Sequence, residues 1–285
     1  MAEVEPQYAS DYDDRITVAV KSVLLEIGQI LGSYKGKFAV IGGAVPWLLL
    51  NKADMPHIGT LDVDLSLDAE ALGSGEYARL VESLVKRGYR RHERGSRFQL
   101  VRAAPARDGG PSIDVVVDFL MPRHAAIERN VPPLIADFAV QRADGADLAL
   151  RFHELVAIEG EMPDGGRNRV QIAVASIPAL LAMKGYALMN RLKQKDAYDI
   201  YYSIRNFPGG VDALVEATRP LLDVDSARTG YLHISEKFRD PEDFGPTSVR
   251  QFVDRPDMLG ERTADQWQQD AFGQVHAWLS ALGLR

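Results

Sequence analysis

The stretch from Phe38 to Asp68, FAVIGGAVPWLLLNKADMPHIGTLDVDLSLD, constrains the fold more than any other part of the chain. Phe38 to Ile41 is a short apolar run closed by Gly42-Gly43, the pattern of a buried strand ending in a tight turn. The apolar segment that follows carries Pro46 near its front, where a missing N–H costs a helix nothing. Asn51 to Gly59, with Pro56, reads as a loop. A second strand then alternates strictly, with Leu61, Val63, Leu65 and Leu67 on one face and Asp62, Asp64, Ser66 and Asp68 on the other. Aspartate has poor strand propensity, and neighbouring carboxylates repel unless a cation or a proton neutralises them. Asp-x-Asp on one exposed strand face, just past a glycine turn, therefore points to a metal–nucleotide site; the plainer alternative is a solvated face. An EF-hand loop starting at Asp62 is excluded, because Leu67 stands where that loop needs glycine and Gly73 where it needs a bidentate glutamate.

Around this stretch the chain alternates helices and strands. Ile16 to Leu31 has helical apolar spacing and ends at Gly32, predicting an amphipathic helix under the sheet. Ser74 to Lys86 predicts a second helix, ended by Gly88. Arg87, Arg90, Arg91, Arg94 and Arg97 form a basic cluster before a predicted strand, Phe98 to Arg102. A Pro/Gly-rich turn joins it to another strand, Ile113 to Leu120, a hairpin pattern that argues for antiparallel neighbours. Short strands are expected at Leu150 to Ile158 and Arg169 to Val174. From Ser176 the pattern becomes helical, with one helix expected to run on to Phe207, and further helices at Val211 to Leu222 and Ala264 to Leu282. Gly230 to Pro256 is expected to be irregular. The chain thus reads as an α/β (α+β) domain over residues 1–175 and a mainly helical domain over 176–285.

Several residues carry candidate chemistry. Asp62 and Asp64 suit one or two Mg²⁺ (or Mn²⁺) ions, hard cations that prefer oxygen ligands. A third carboxylate on the later strand, Asp114 or Asp118, could complete the cage or take a proton from an attacking hydroxyl; alternation alone leaves both open. Gly42 and Gly43 let backbone N–H groups approach a phosphate. Thr60 could bind a phosphate or simply start the strand, and His57 reads as a loop histidine. On a single helix turning about 100° per residue, Lys184, Arg191 and Lys195 share a stripe within roughly 40°, with Asp199 close by. Three cations on one stripe want an anionic partner. Phosphate is one candidate, and a Lys195–Asp199 pair spaced i,i+4 is another, with Asp196 and Asp199 positioning the lysines.

Composition narrows the class. Lys and Arg number 33 against 40 Asp and Glu, a net charge of −7, which counts against a generalised electrostatic grip on nucleic acid and leaves any such contact to local basic patches. The chain has no cysteine, hence no disulfide framework or thiolate zinc site. Its longest apolar run, Phe38 to Leu50, falls short of the roughly 20 residues of a membrane span. The acidic N-terminus lacks the order of a signal peptide, so a cytoplasmic location is expected. No G-x-G-x-x-G, Walker A lysine or G-x-S-x-G elbow is present, which counts against dinucleotide, P-loop and serine-hydrolase chemistry.

A Gly-Gly turn, then hydrophobic-Asp-hydrophobic-Asp-hydrophobic, then a third acid on a following strand resembles the nucleotidyltransferase superfamily. KGYALMNRLKQKDAYDIYY, Lys184 to Tyr202, resembles the K-x-x-A-L-x-x-R-x-x-x-K-D-x-x-D segment of its AbiEii/AbiGii-type branch, which includes toxins of toxin–antitoxin and phage-defence systems. The resemblance spans about residues 38 to 207. It implies a small mixed sheet flanked by helices, with the site in the cleft before the helical domain. It also implies Mg²⁺- or Mn²⁺-dependent transfer of a nucleoside monophosphate from an NTP to an acceptor hydroxyl of an RNA 3′ end, a protein or a small molecule. An antitoxin would be the protein partner. By the same resemblance Gly42 and Gly43 hold the triphosphate, and Asp62, Asp64 and Asp118 bind metal and serve catalysis. Thr60, Lys184 and Arg191 would serve the nucleotide, and Lys195 and Asp196 catalysis. Asp118, followed by Phe-Leu-Met-Pro, fits the third-acid position better than Asp114. The Gly43-to-Asp62 interval is longer than in compact members, and Gly43 replaces the commoner serine. The arginine cluster at 87–97 favours a polyanionic acceptor or is a solvated helix end. The alternative is a non-catalytic nucleotide- or partner-binding protein of the same fold.

Overall fold

The apolar run ahead of the glycine turn folds as β1 (Phe38–Ile41), buried along its length, and the alternating run as β2 (Asp62–Leu67). They pair antiparallel, Ile41 opposite Asp64 and Phe38 opposite Leu67. The computed structural model describes residues 6–12, 14–32, 36–50, 55–68, 76–92, 99–125, 141–254 and 260–285. Helix α1 (Asp14–Leu31) precedes β1, and the short α2 (Ala44–Leu49) follows the turn. After β2 come α3 (Glu76–Lys86), β3 (Arg90–Arg91), β4 (Gln99–Ala104) and β5 (Ile113–Pro122). The sheet is completed by β6 (Gln141–Ala143), α4 (Ala146–Arg151), β7 (His153–Glu161) and β8 (Arg167–Ala175).

The eight strands form one mixed sheet in the order β3-β4-β5-β2-β1-β8-β7, with β6 alongside β5. The predicted β4–β5 hairpin is antiparallel, whereas β2 runs parallel to β5 and β1 parallel to β8. This is the expected α/β architecture of a mixed sheet flanked by helices. Helix α1 buries Val20, Val23, Leu24, Ile27 and Leu31 against β5, β7 and β8. Full burial of one such side chain contributes about 1.5–3 kcal/mol, so this stripe fixes α1 on the sheet.

The polar face of β2 is less exposed than alternation suggests. Ser66 is fully buried and donates to the carbonyl oxygen of Ala146, at the start of α4. Asp62 and Asp64 remain half-buried at the open end of that face. Leu150 and Arg151, expected in a strand, instead finish α4, and β7 begins at His153.

The chain divides into two compact units. One comprises Asp14–Val45 and Gly59–Ser176 and holds the sheet. The other comprises Met1–Asp13, Pro46–Ile58 and Ile177–Arg285 and is helical. In the helical unit the long predicted helix is two, α5 (Ile177–Asn190) and α6 (Gln194–Arg205), broken at Arg191–Lys193. No glycine or proline marks the break; buried charge pairs between α5 and α6, described below, fold one helix back on the other. The remaining helices are α7 (Gly210–Thr218), α8 (Asp225–Lys237), α9 (Phe244–Val253) and α10 (Ala264–Ala281). The expectation of irregular chain from Gly230 to Pro256 is therefore wrong for α8 and α9. Gly230 is a contact residue, because a Cβ there would lie 2.2 Å from the carbonyl oxygen of Ala182. A Cβ on Gly185 would lie 1.9 Å from the carbonyl oxygen of Gly230, so two facing glycines let α5 and α8 meet backbone to backbone.

Candidate functional site

In the sheet unit, register builds an acidic cluster. Asp64 stands opposite Asp118 on adjacent parallel strands, and Asp62 lies two residues earlier on the same face of β2. One carboxylate oxygen from each of the three lies within 4.8 Å of the others. Among the described residues no other group of three His, Cys, Asp or Glu side chains converges so closely. Asp114 is not part of it: it pairs in register with Ala103 and forms an ion pair with Arg90. Thr60, itself buried, donates its hydroxyl to Asp62 Oδ1 at 3.1 Å, which orients that carboxylate.

The glycine turn closes over the cluster. Gly42 has φ +72°, and a Cβ there would lie 1.9 Å from Asp64 Oδ2. Only glycine accommodates both that backbone and that neighbour. Gly43 completes the turn and is buried immediately before α2. Three half-buried carboxylates with an all-oxygen donor set fit a hard divalent cation such as Mg²⁺ or Mn²⁺.

In the helical unit the lysines find their anions. The Lys184 ammonium is buried, 2.6 Å from Asp196 Oδ1 and 2.7 Å from Asp199 Oδ2. Arg191, in the break, donates through Nε to Asp196 Oδ2 at 2.9 Å and through Nη2 to Oδ1 at 3.2 Å. Lys195 donates to Asp199 at 2.9 and 3.1 Å, the i,i+4 pair read from the sequence. The single-stripe geometry fails with the helix break, yet the same residues converge because α6 returns along α5. Three cations against two carboxylates leave one positive charge. Burial opposes ionisation of Asp196 and Asp199, but their cationic partners outweigh it and hold both carboxyls below the usual range. Lys184 is likewise desolvated, and the two carboxylates still raise its pKa.

The sequence reading missed His57. It lies in the loop ahead of β2, fully buried, with Nε2 3.0 Å from Asp199 Oδ1 and its ring edge-on to Tyr202 at 4.7 Å. The Tyr202 hydroxyl donates to the carbonyl oxygen of Met55 at 2.7 Å, so two contacts fix this loop against α6. Burial lowers the His57 pKa to about 4 despite the adjacent carboxylate, because Lys195 and Lys184 crowd the same site. The only sequence signal was a histidine five residues before Asp62. In the basic cluster, Arg90 is held by Asp114, and Arg94 and Arg97 lie outside the described residues.

No described helix is long and apolar enough to cross a membrane. No curated protein matches the chain. The family model described as nucleotidyl transferase AbiEii toxin, Type IV TA system, matches residues 60–277. The match takes in Asp62, Asp64, Asp118 and the Lys184-to-Asp199 cluster, and it continues well past Phe207, where the sequence offered no resemblance. With its sheet, its acidic cluster and a match over most of its length, the chain belongs to the AbiEii family of nucleotidyl transferase toxins of Type IV toxin–antitoxin systems.

Proposed function

We propose that the chain is a metal-dependent nucleotidyltransferase that moves a nucleoside monophosphate from an NTP to an acceptor hydroxyl. The observation that carries this reading is the convergence of Asp62, Asp64 and Asp118 beside a position that only glycine can fill. In the reaction the acceptor oxygen bonds to the α-phosphorus, the bond from that phosphorus to the bridging oxygen breaks, and pyrophosphate leaves with the electron pair. Asp62, Asp64 and Asp118 would hold a Mg²⁺ or Mn²⁺ ion, which would supply electrostatic stabilisation for the attacking and leaving oxygens. Asp118, facing Asp64 from the next strand, completes the oxygen cage and is our candidate to take the acceptor proton. Thr60 acts by holding Asp62. The Gly42–Gly43 backbone leaves room for a phosphate oxygen.

In the helical unit, Arg191 and Lys195 supply positive charge for the nucleotide, and Asp196 orients Arg191. Lys184 contributes as a positioning residue, since its ammonium sits buried on Asp196 and Asp199. The acceptor is an RNA 3′ end, a protein side chain or a small molecule; the family supports a protein antitoxin as partner, and the cytoplasm is our proposed place of action.

The test is nucleotide transfer. The purified chain is incubated with Mg²⁺ or Mn²⁺, each labelled NTP in turn, and total RNA plus cell extract, beside Asp62→Ala/Asp64→Ala. Label moved by the intact chain alone supports the reading and identifies the acceptor class. Absence of transfer together with absence of metal-dependent NTP binding overturns it in favour of a binding protein of the same fold.

A further inference from the structure

The outer edge of the sheet carries an inference independent of the transfer chemistry. Strand β7 ends the strand order, and among the described residues only β8 pairs with it. It is nine residues long and pairs with β8 from His153 to Glu161 without a bulge. Edge strands are ordinarily protected by shortness, proline, bulges or charged side chains, lysine above all; β7 is long and has no proline, lysine or bulge, and its charged side chains are Glu154, Glu159 and Glu161. Its solvent face presents His153, Leu155, Ala157, Glu159 and Glu161, while Ile158 on the other face is buried. At 67% exposure, Leu155 is the most exposed large apolar side chain among the described residues. Within the hairpin, Glu159 stands in register opposite Arg169 and Glu161 opposite Arg167.

We propose that two copies of the chain pair through this edge, β7 against β7, antiparallel about a two-fold axis at Ala157, so that two sheets become one. Ala157 is the central residue of β7, so this register pairs the strand over its full length. It also satisfies the charges. Glu161 faces the partner's His153, Glu159 faces the partner's Leu155, and Glu154 faces the partner's Gly160. No carboxylate meets a carboxylate, and the small Ala157 meets itself where the strands approach most symmetrically. Moving the axis by one residue leaves end pairs unmatched and separates Glu161 from the histidine. An isologous contact of this kind closes at two copies rather than growing into a filament.

The absence of native cysteine makes the register directly testable. In the full-length chain, Ala157→Cys places two thiols face to face across the axis, and mild oxidation is expected to give a reducible dimer. Gln171→Cys lies one strand further in on the same face and is expected to associate without forming the disulfide crosslink. For the unmodified chain, equilibrium sedimentation is expected to give twice the 31.5 kDa chain mass. Ala157→Asp puts two carboxylates directly opposite each other and is expected to weaken association about tenfold or more, with an unchanged circular dichroism spectrum showing that it folds. Three outcomes each overturn the proposal. They are a chain that stays monomeric to about 100 μM, equal crosslinking by the two cysteine variants, and a dimer indifferent to Ala157→Asp.

Discussion

Lys184→Met tests whether the charge cluster of the helical unit is a tertiary clamp. Methionine keeps the length and apolar body of the side chain and deletes the ammonium. In the parent chain that ammonium lies 2.6 and 2.7 Å from two fully buried carboxylates. Removing one partner of a buried ion pair costs about 3–5 kcal/mol, because the remaining charge stays desolvated. Asp196 keeps Arg191, and Asp199 keeps Lys195 and His57. The loss should therefore fall at the lower end, about 3 kcal/mol, or roughly 6–12 °C in melting temperature for a chain of this size. Tryptophan fluorescence is the right probe, since Trp47, Trp267 and Trp278 all belong to the helical unit. The sign with pH follows from the buried carboxylates. Their pKa values are depressed in the parent and rise once the lysine is gone, so a proton can take its place as pH falls. The defect should therefore be largest at pH 7.5 and shrink toward pH 5. A variant within about 0.5 kcal/mol of the parent, or a defect that does not vary with pH, would refute the clamp.

Three further outcomes are expected. Asp64→Asn should abolish transfer yet stabilise the metal-free chain by about 0.5–1 kcal/mol, by relieving carboxylate repulsion, and the thermal shift that Mg²⁺ gives the parent should vanish. Gly42→Ala combines a left-handed backbone with a Cβ 1.9 Å from Asp64 Oδ2, so it should cost about 1–2 kcal/mol of stability and about a hundredfold in transfer; urea unfolding and initial rates check the two halves separately. The His57 pKa is lowered from 6.5 to about 4, so the unfolded chain takes up that proton first as pH falls. Stability should be full above pH 6.5 and decline by up to about 3 kcal/mol between pH 6.5 and 4, a slope that His57→Gln should flatten in urea titrations.

What the sequence disclosed depended on whether a residue's neighbours were local. Val63, Asp64 and Leu65 announced their two faces by alternation, and β1, β2, β5 and α1 were placed to within a residue or two of their ends. The choice between Asp114 and Asp118 was invisible to alternation, because both lie on the same face of one strand. It was decided by the β2–β5 register, a pairing across more than fifty residues. Gly230 read as a breaker for the same reason: its partner is the backbone of Ala182, on another helix. The break at Arg191–Lys193 has no breaker residue, and its cause is the burial of Lys184 against Asp196 and Asp199. His57 was passed over because its meaning resides in Asp199, 142 positions away.

The pairing of β1 with β8 has a consequence in time. Val40 meets Val174 in parallel, so the strand that leads into the glycine turn gains its second neighbour only after residue 174 has been synthesised. Strand β2 meets β5 no earlier than residue 116, and His57 waits for Asp199. Non-local parallel pairing of this kind is intrinsically slow to form, because the entropy of closing long loops precedes any gain from contact. An emerging chain therefore cannot bring Asp118 to Asp62 and Asp64 before β5 has been made, and no N-terminal fragment ending before residue 199 contains all the charged partners of the helical unit. For a member of a toxin family, this topology ties assembly of both clusters to contacts between residues far apart in the chain.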